Sequence, residues 1–175
     1  MKNLEKDQLE TLLDIIGSSS TPSLQVAHFS EGGDTLINML KAYCLKKEYT
    51  YHLNCTNKDF YETTAQRFKD QKGIVVNKFF LQRRSYLIQA REYNFLFVTT
   101  VIDEAMRSDF LKRSHKIVRS AGSIILFIAK KDYHERDNWC ALLEEHLYVS
   151  TSIVDDMFEH YDVIISRKMH GWGDS

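Results

Sequence analysis

Residues 123–129 read Ser-Ile-Ile-Leu-Phe-Ile-Ala, and Ile124 to Ala129 is the longest uninterrupted apolar run in the chain. This run is far shorter than the ~20 residues of a membrane-spanning helix. Its β-branched and aromatic residues favour a strand. A strand that is apolar on both faces has to be covered on both faces, as in a parallel sheet. We therefore expect residues 123–129 to form a central strand of the core.

Further strands and amphipathic helices alternate along the chain on either side of this segment. Strands are predicted at 24–29, 49–54, 74–76, 95–101, 148–154 and 161–167. Helices are predicted at 4–16, 35–44, 58–69, 81–92, 103–121 and 137–146, with Gly17 and Gly122 ending two of them. The alternation predicts an α/β three-layer sandwich with a mostly parallel sheet of about seven strands. We expect residues 1–175 to form one domain, with a helix in residues 1–17 packed on it and a loop at 18–23.

Composition narrows the class of protein. Hydrophobic residues make up 43% and charged residues 27%, and the only proline is Pro22, which is typical of a globular domain and excludes collagen-like or disordered chains. The net charge of -1 lacks the basic surplus of proteins that bind nucleic acid nonspecifically. The cysteines, Cys44, Cys55 and Cys140, form no Cys-x-x-Cys pair, and the first residues are too charged for a signal peptide. These features predict a cytoplasmic protein with free thiols and no membrane association.

The order of elements in the second half resembles a known family. Residues 93–98, Tyr-Asn-Phe-Leu-Phe-Val, look like the fourth strand of class I S-adenosylmethionine-dependent methyltransferases. Residues 110–126 look like the helix, turn and fifth strand that follow, and 161–168 like the closing antiparallel strand. The resemblance covers nearly the whole chain. It implies a Rossmann-like sandwich with an antiparallel C-terminal strand and S-adenosylmethionine as cofactor.

The resemblance also implies positions for the cofactor. The family's loop "D-x-G-x-G-x-G" falls on residues 28–34, where Gly32 matches a glycine and His28 stands in place of the acid. Small residues are needed there because the backbone approaches the ligand closely. The family's ribose-binding acid falls near Asn54, which offers one acceptor oxygen and one donor. The cofactor-binding residues implied in this way are Ser30, Glu31, Gly32, Gly33, Asp34 and Asn54.

Each of these positions also has a simpler structural interpretation. The loop is alternatively an ordinary turn in which Asp34 caps the helix that begins at Thr35. Asn54 is alternatively a plain residue at a strand end, and His28 a hydrogen-bonded structural histidine rather than a ligand or base. The family places substrate-facing residues after its fourth strand, here Thr99, Thr100 and Asp103, but Asp103 is alternatively a helix N-cap.

Two further clusters carry possible chemistry. One is a basic patch interleaved with aromatic residues: Lys78, Arg83, Arg84 and Arg91 with Phe79, Phe80 and Tyr86. Such a pattern is typical of a surface that contacts phosphates and stacks on bases. It is alternatively a solvated helix face with buried aromatic residues. Asp155, Asp156, Glu159 and His160 have a metal-like spacing but lie between two predicted strands, so a solvated turn is expected and no metal site.

Three functions are therefore compared. The first is an S-adenosylmethionine-dependent methyltransferase of unknown substrate, with cofactor binding weakened by the altered motifs. The second is a catalytically inactive methyltransferase-like protein that serves as an interaction module. The third is a small RNA-binding protein that uses Arg83, Arg84 and Arg91. The sequence nominates no catalytic residue, because methyl transfer depends mostly on positioning.

Overall fold

The computed structural model describes residues 1–16, 24–87 and 91–169. Within these residues the chain forms five helices and seven strands. The helices are α1 (Lys6–Ile16), α2 (Asp34–Lys46), α3 (Lys58–Arg67), α4 (Glu104–His115) and α5 (Tyr133–Glu145). The strands are β1 (Gln25–Ser30), β2 (Thr50–Cys55), β3 (Ile74–Lys78), β4 (Tyr93–Val98), β5 (Val118–Ala129), β6 (Tyr148–Val154) and β7 (Tyr161–Lys168). The loop predicted at 18–23 and the helix stop at Gly17 lie outside the described residues.

The strands form one sheet in the order β3-β2-β1-β4-β5-β7-β6. Strands β3, β2, β1, β4 and β5 run parallel, and β7 pairs antiparallel with both β5 and β6. The prediction of a mostly parallel α/β sandwich with an antiparallel C-terminal strand is confirmed. Because β1 lies between β2 and β4, the chain leaves it in one direction and later returns on its other side.

Helices cover both faces of the sheet. On one face α1, α2 and α3 pack against β1, β2 and β5, and on the other α4 and α5 pack against β4 and β5. Ile125 is fully buried among the first group and Leu126 is 1% exposed among the second. The expectation that residues 123–129 form a central strand covered on both faces is therefore confirmed. None of the described helices is long and apolar enough to cross a membrane.

The helix predicted over 103–121 is wrong in its second part. Helix α4 ends at His115, and β5 begins at Val118, so that Gly122 lies inside a strand rather than after a helix. A Cβ on Gly122 would lie 2.9 Å from the carbonyl oxygen of Arg119 and 3.0 Å from that of Asn94. The glycine is therefore needed for a close approach of two strands. Val118 is buried in the core, which stabilises the extended form.

The helix predicted over 81–92 is also wrong for the residues described. Residues 79–87 form turns without a helix, and 88–90 lie outside the described part. In a helix the carbonyl oxygen of Leu81 would accept from the backbone of Ser85. Here it accepts instead from the Tyr86 hydroxyl at 2.6 Å and from Arg113 Nη1 at 3.1 Å. Tertiary contacts thus replace the local hydrogen bond.

Other boundaries differ by a few residues. Helix α5 begins at Tyr133 rather than 137, because the Asp132 side chain accepts from the backbone N–H of Glu135 and caps the helix. Strand β4 ends at Val98, which leaves Thr99 and Thr100 in the connection to α4.

Candidate functional site

The carboxyl ends of β1, β2 and β4 meet at one edge of the sheet. These strands end at Ser30, Cys55 and Val98, and β1 lies between the other two. The chain order reverses at β1, so this edge is the topological switch point. Open α/β sheets bind ligands in the crevice at that point.

The turn after β1 is held by one serine. Ser30 Oγ donates to the carbonyl oxygen of Gly32 at 2.7 Å, and the Gly32 N–H lies 3.2 Å from the same Oγ. Gly33 has φ 101°, in the region that favours glycine, and is the N-cap residue of α2. A Cβ on Gly32 would meet nothing within 4 Å, whereas one on Gly33 would lie 3.0 Å from Met1 Sδ. The turn is therefore open at Gly32 and covered at Gly33.

A cluster of hydroxyls joins the three strand ends. The Oγ1 atoms of Thr56 and Thr100 lie 2.7 Å apart, and Thr56 Oγ1 donates to the carbonyl oxygen of Ser30 at 3.2 Å. The Glu31 carboxylate accepts from Thr100 Oγ1 at 3.2 Å and from the Val101 N–H at 3.3 Å. Glu31 thus bridges the ends of β1 and β4. Sequence reasoning missed Thr56, whose only signal is its place directly after β2.

His28 lies inside the core rather than at the edge. Its Nδ1 atom is 2.8 Å from the Tyr51 hydroxyl and its Nε2 atom 2.7 Å from Thr99 Oγ1. Thr99 donates its proton to the carbonyl oxygen of Phe29, so Nε2–H donates to Thr99 and Nδ1 accepts from Tyr51. Burial lowers the pKa of His28 to about 3. The interpretation of His28 as a hydrogen-bonded structural histidine is confirmed.

Neither of the two aspartates that the sequence offers as N-caps makes a capping hydrogen bond with its side chain. Helix α2 has Gly33 at its N-cap with no side-chain hydrogen bond, so the alternative in which Asp34 caps it is wrong. The Asp34 carboxylate instead accepts from Arg67 Nη1 at 3.1 Å. Asp103 does occupy the N-cap position of α4, but its side chain makes no capping bond and is exposed.

The side chain of Asn54 makes its hydrogen bonds away from the turn of residues 30–33. Its Nδ2 atom donates to the carbonyl oxygen of His52 at 3.3 Å, and its Oδ1 atom accepts from Asn77 at 3.5 Å. Asn54 is 6% exposed and lines a cavity on the face of the sheet beside β3. The residues that follow β2 are Thr56 and Asn57, and the Asn57 side chain caps α3 by accepting from Phe60. The end of β2 therefore carries hydroxyl and amide groups.

A cavity of about 210 Å³ opens between the ends of β4 and β5. Its lining includes Glu31, Thr99, Thr100, Trp139 and Tyr161. Two of the three predicted substrate-facing residues, the threonines, thus share a cavity with the carboxylate of the turn. No group of three or more His, Cys, Asp or Glu residues that could hold a metal ion occurs among the described residues.

No protein-family model matches the sequence, and no curated protein matches it significantly. The structure is similar to N-methyltransferase NodS from Bradyrhizobium japonicum WM9, with a TM-score of 0.68 and 14% identity over 94% of this chain and 97% of that one. The similarity to the CurJ carbon methyltransferase has a TM-score of 0.73 and 12% identity, and covers 94% of this chain and 54% of that one. The chain spans about half the length of the CurJ protein and of the citrinin polyketide synthase CMeT domain (52%).

These likenesses extend over nearly the whole chain, with sequence identities far below those of close relatives. They establish that the chain has the class I fold of S-adenosylmethionine-dependent methyltransferases. Fold by itself does not give activity, which depends on the residues of the site.

Proposed function

We propose that this protein binds S-adenosylmethionine at the carboxyl edge of β1, β2 and β4 and transfers its methyl group to an acceptor. The observation that carries the proposal is the turn of residues 30–33 at the switch point, with Gly32 facing open space. A ligand can approach the backbone there without meeting a side chain. The likeness of the fold to methyltransferases supports the same placement.

The charge of the turn suits this cofactor. S-adenosylmethionine supplies a methyl group activated by a positive sulfonium, and it also carries an ammonium group. Glu31 offers a carboxylate at the switch point, held by Thr100 and the Val101 N–H. His28 occupies the position of the family's acid but is buried and held neutral by its low pKa. Glu31 therefore supplies the negative charge that His28 does not.

The acceptor would lie on the β4 side of the edge. Thr99, Thr100 and Asp103 follow β4, and both threonines line the cavity of about 210 Å³. Their task is to hold the acceptor in line with the methyl group, since positioning provides most of the rate enhancement in such a transfer.

Binding is expected to be weak. The resemblance puts the family's carboxylate near Asn54, which is neutral and bonds to His52 and Asn77. The residues that follow β2 are Thr56 and Asn57, and the amide of Asn57 caps α3. The Thr56 hydroxyl provides a single neutral contact to a ribose. We expect a dissociation constant of tens of micromolar or weaker, which is about −6 kcal/mol.

A second candidate is a methyltransferase-like interaction module that has lost the cofactor. Three contacts favour it. Glu31 has its hydrogen bonds within the protein, Asp34 pairs with Arg67, and Met1 lies against Gly33.

Isothermal titration with S-adenosylhomocysteine separates the two candidates. Binding by the wild type and its loss in Gly32→Val support the cofactor site, because a side chain at Gly32 would project into the space proposed for the ligand. Circular dichroism and melting temperature serve to check that the variant is folded. If millimolar ligand gives neither heat nor a higher melting temperature with the wild type, the enzyme is excluded and the interaction module takes its place.

A further inference from the structure

A second cavity, of about 420 Å³, lies on the face of the sheet formed by β2 and β3. Helices α4 and α5 cover the same face over β4 and β5, but the segment before β4 is irregular over residues 79–87. Tyr86 holds this segment against the core by its bond to Leu81 and its contact with Phe29. Among the described residues no helix covers β3 on this face, and Val75 is 39% exposed there.

The floor of this cavity is polar. His52 and Asn54 line it and are 2% and 6% exposed, and Asn77 lies beside Asn54. Buried polar side chains on a sheet face destabilise a fold unless they find partners. Arg91 Nη1 lies 3.4 Å from His52 Nδ1, and burial together with Arg91 lowers the pKa of His52 to about 4. His52 is therefore neutral and adds hydrogen-bonding capacity without charge.

The wall of the cavity is cationic. Lys78, Arg83 and Arg91 line it, and no carboxylate of the described residues lies within 4.0 Å of their charged groups. The guanidinium of Arg83 lies over the ring of Phe79, 5.3 Å from its centroid. Three cations around a concave site create a positive potential that attracts an anion.

We infer that this cavity binds a nucleoside monophosphate, either free or as the phosphorylated end of an oligonucleotide. The cations suit the phosphate, since guanidinium groups bind phosphate oxygens by charge-assisted hydrogen bonds. The amides of Asn54 and Asn77 offer donors and acceptors to a base edge. A volume of about 420 Å³ lies within the range of small-molecule sites and exceeds what a phosphate alone requires.

This site is separate from the carboxyl edge. Asn54 and Arg83 line the cavity on the sheet face, whereas Glu31 and Thr100 line the cavity at the end of β4. The inference therefore does not depend on the proposed methyltransferase function. The two are also tested with different ligands.

The test is isothermal titration of the intact protein with AMP and with adenosine. We expect AMP to bind at least about tenfold more tightly than adenosine, and Arg83→Gln and Arg91→Gln each to weaken AMP binding by at least about tenfold. Arg84→Gln is the matched control. Arg84 is exposed and does not line the cavity, so its variant should bind AMP as the wild type does. Melting temperatures verify that all three variants are folded.

The inference would be overturned by no heat with millimolar AMP, by equal binding of AMP and adenosine, or by an equal loss in Arg84→Gln. Displacement of AMP by S-adenosylhomocysteine would also overturn it, because the two ligands would then share one site. Titration with a short oligoadenylate that carries a terminal phosphate shows whether the site prefers a free nucleotide or the end of a nucleic acid. Tighter binding of this oligonucleotide than of AMP indicates a nucleic acid end, and tighter binding of AMP indicates a free nucleotide.

Discussion

His28 of β1 and Tyr51 of β2 are joined by a 2.8 Å hydrogen bond between His28 Nδ1 and the Tyr51 hydroxyl. Both residues are fully buried. The resemblance to methyltransferases predicts an acid at the position of His28, but the imidazole faces the interior and connects β1 to β2 and, through Thr99, to the end of β4. Its role is to connect the three neighbouring strands inside the core, beneath the candidate site.

The buried imidazole makes stability depend on pH. The pKa of His28 is about 3 in the folded protein and near 6.5 in the unfolded chain, so below pH 6.5 the unfolded chain binds more protons. The contribution of the neutral imidazole is therefore complete above pH 6.5 and is lost as the pH falls toward 3. Between pH 7 and pH 5 we expect a loss of about 2 kcal/mol from this residue.

Urea denaturation of the wild type and of His28→Gln at the two pH values measures this contribution. Glutamine is neutral at pH 7 and at pH 5. Between these two values His28→Gln should therefore lose about 2 kcal/mol less free energy of unfolding than the wild type does. Since burial also lowers the pKa of His52, some pH dependence should remain in the variant. Equal losses in the two proteins would contradict the assignment.

Glu31→Gln tests the charge of the carboxyl edge. Glutamine keeps one acceptor oxygen for Thr100 but removes the negative charge that is proposed to face the cofactor. We expect S-adenosylmethionine to bind about tenfold more weakly or worse, as for the loss of one charged hydrogen bond. Glu62→Gln, an exposed position on α3, is the control. Titrations in which both variants bind like the wild type would refute the role given to Glu31.

Ile125→Ala tests the central strand. Ile125 is fully buried in β5, where it pairs with Phe97 and Ile165. Truncation should lower the free energy of unfolding by about 2–5 kcal/mol, because it removes buried methyl groups and leaves a cavity. Ile153→Ala makes the same change in β6 at a side chain that is 40% exposed, and should cost less than about 1 kcal/mol. Equal effects in the two variants would rule out a central position for Ile125.

Arg107 joins α4 to α5. It is 8% exposed and donates to the carbonyl oxygen of Ile102 at 3.0 Å, to Asn138 Oδ1 at 2.8 Å and to Glu135 Oε1 at 3.3 Å. Its guanidinium also lies 5.0 Å from the ring of Trp139. We expect Arg107→Ala to destabilise the protein by about 3 kcal/mol, since it removes a buried cation that packs between the helices and leaves three partly or fully buried acceptors without this donor.

Unfolding of Arg107→Ala and of the wild type in guanidinium chloride measures this loss of stability. Arg119→Ala is the control, because Arg119 contacts Glu92 at 4.0 Å with both side chains more than half exposed, and such pairs contribute about 0–1 kcal/mol. A loss for Arg107→Ala no greater than the control would show that the helix pair is stable without the arginine.

The cysteines should differ in reactivity. All three are free, and burial raises the pKa of Cys44 and of Cys55 to about 12. Cys140 is only half-buried, so a thiol reagent should modify it first and should reach the other two only after denaturation. Mass spectrometry of the labelled protein identifies the site. A disulfide in freshly prepared protein without reductant would contradict the prediction of a cytoplasmic protein.

Elements with a strong local pattern are predictable from the residues alone. Apolar periodicity locates strands β1, β2 and β7 and helix α2 to within a few residues, because core-facing positions repeat at the period of the element. The continuous apolar run of residues 123–129 locates only the second part of β5. The glycine turn after β1 was also located. A close backbone turn needs glycine at a fixed place, and that need is visible in the residues themselves.

The conformation of the segment before β4 and the composition of the site depend on contacts between elements. Residues 81–87 have a helical pattern, yet the Leu81 carbonyl accepts from Tyr86 and Arg113 instead of from the next helical turn. Arg113 lies on α4, far away in sequence, so this contact cannot be read from the local pattern. Thr56 meets Thr100 because β2 and β4 flank β1, a neighbourhood set by strand order. Asn54 lies on the face of the sheet because it belongs to β2, whose side chains alternate between the two faces. Local pattern fixes which residues form elements, but contacts between elements depend on the packing of the whole sheet.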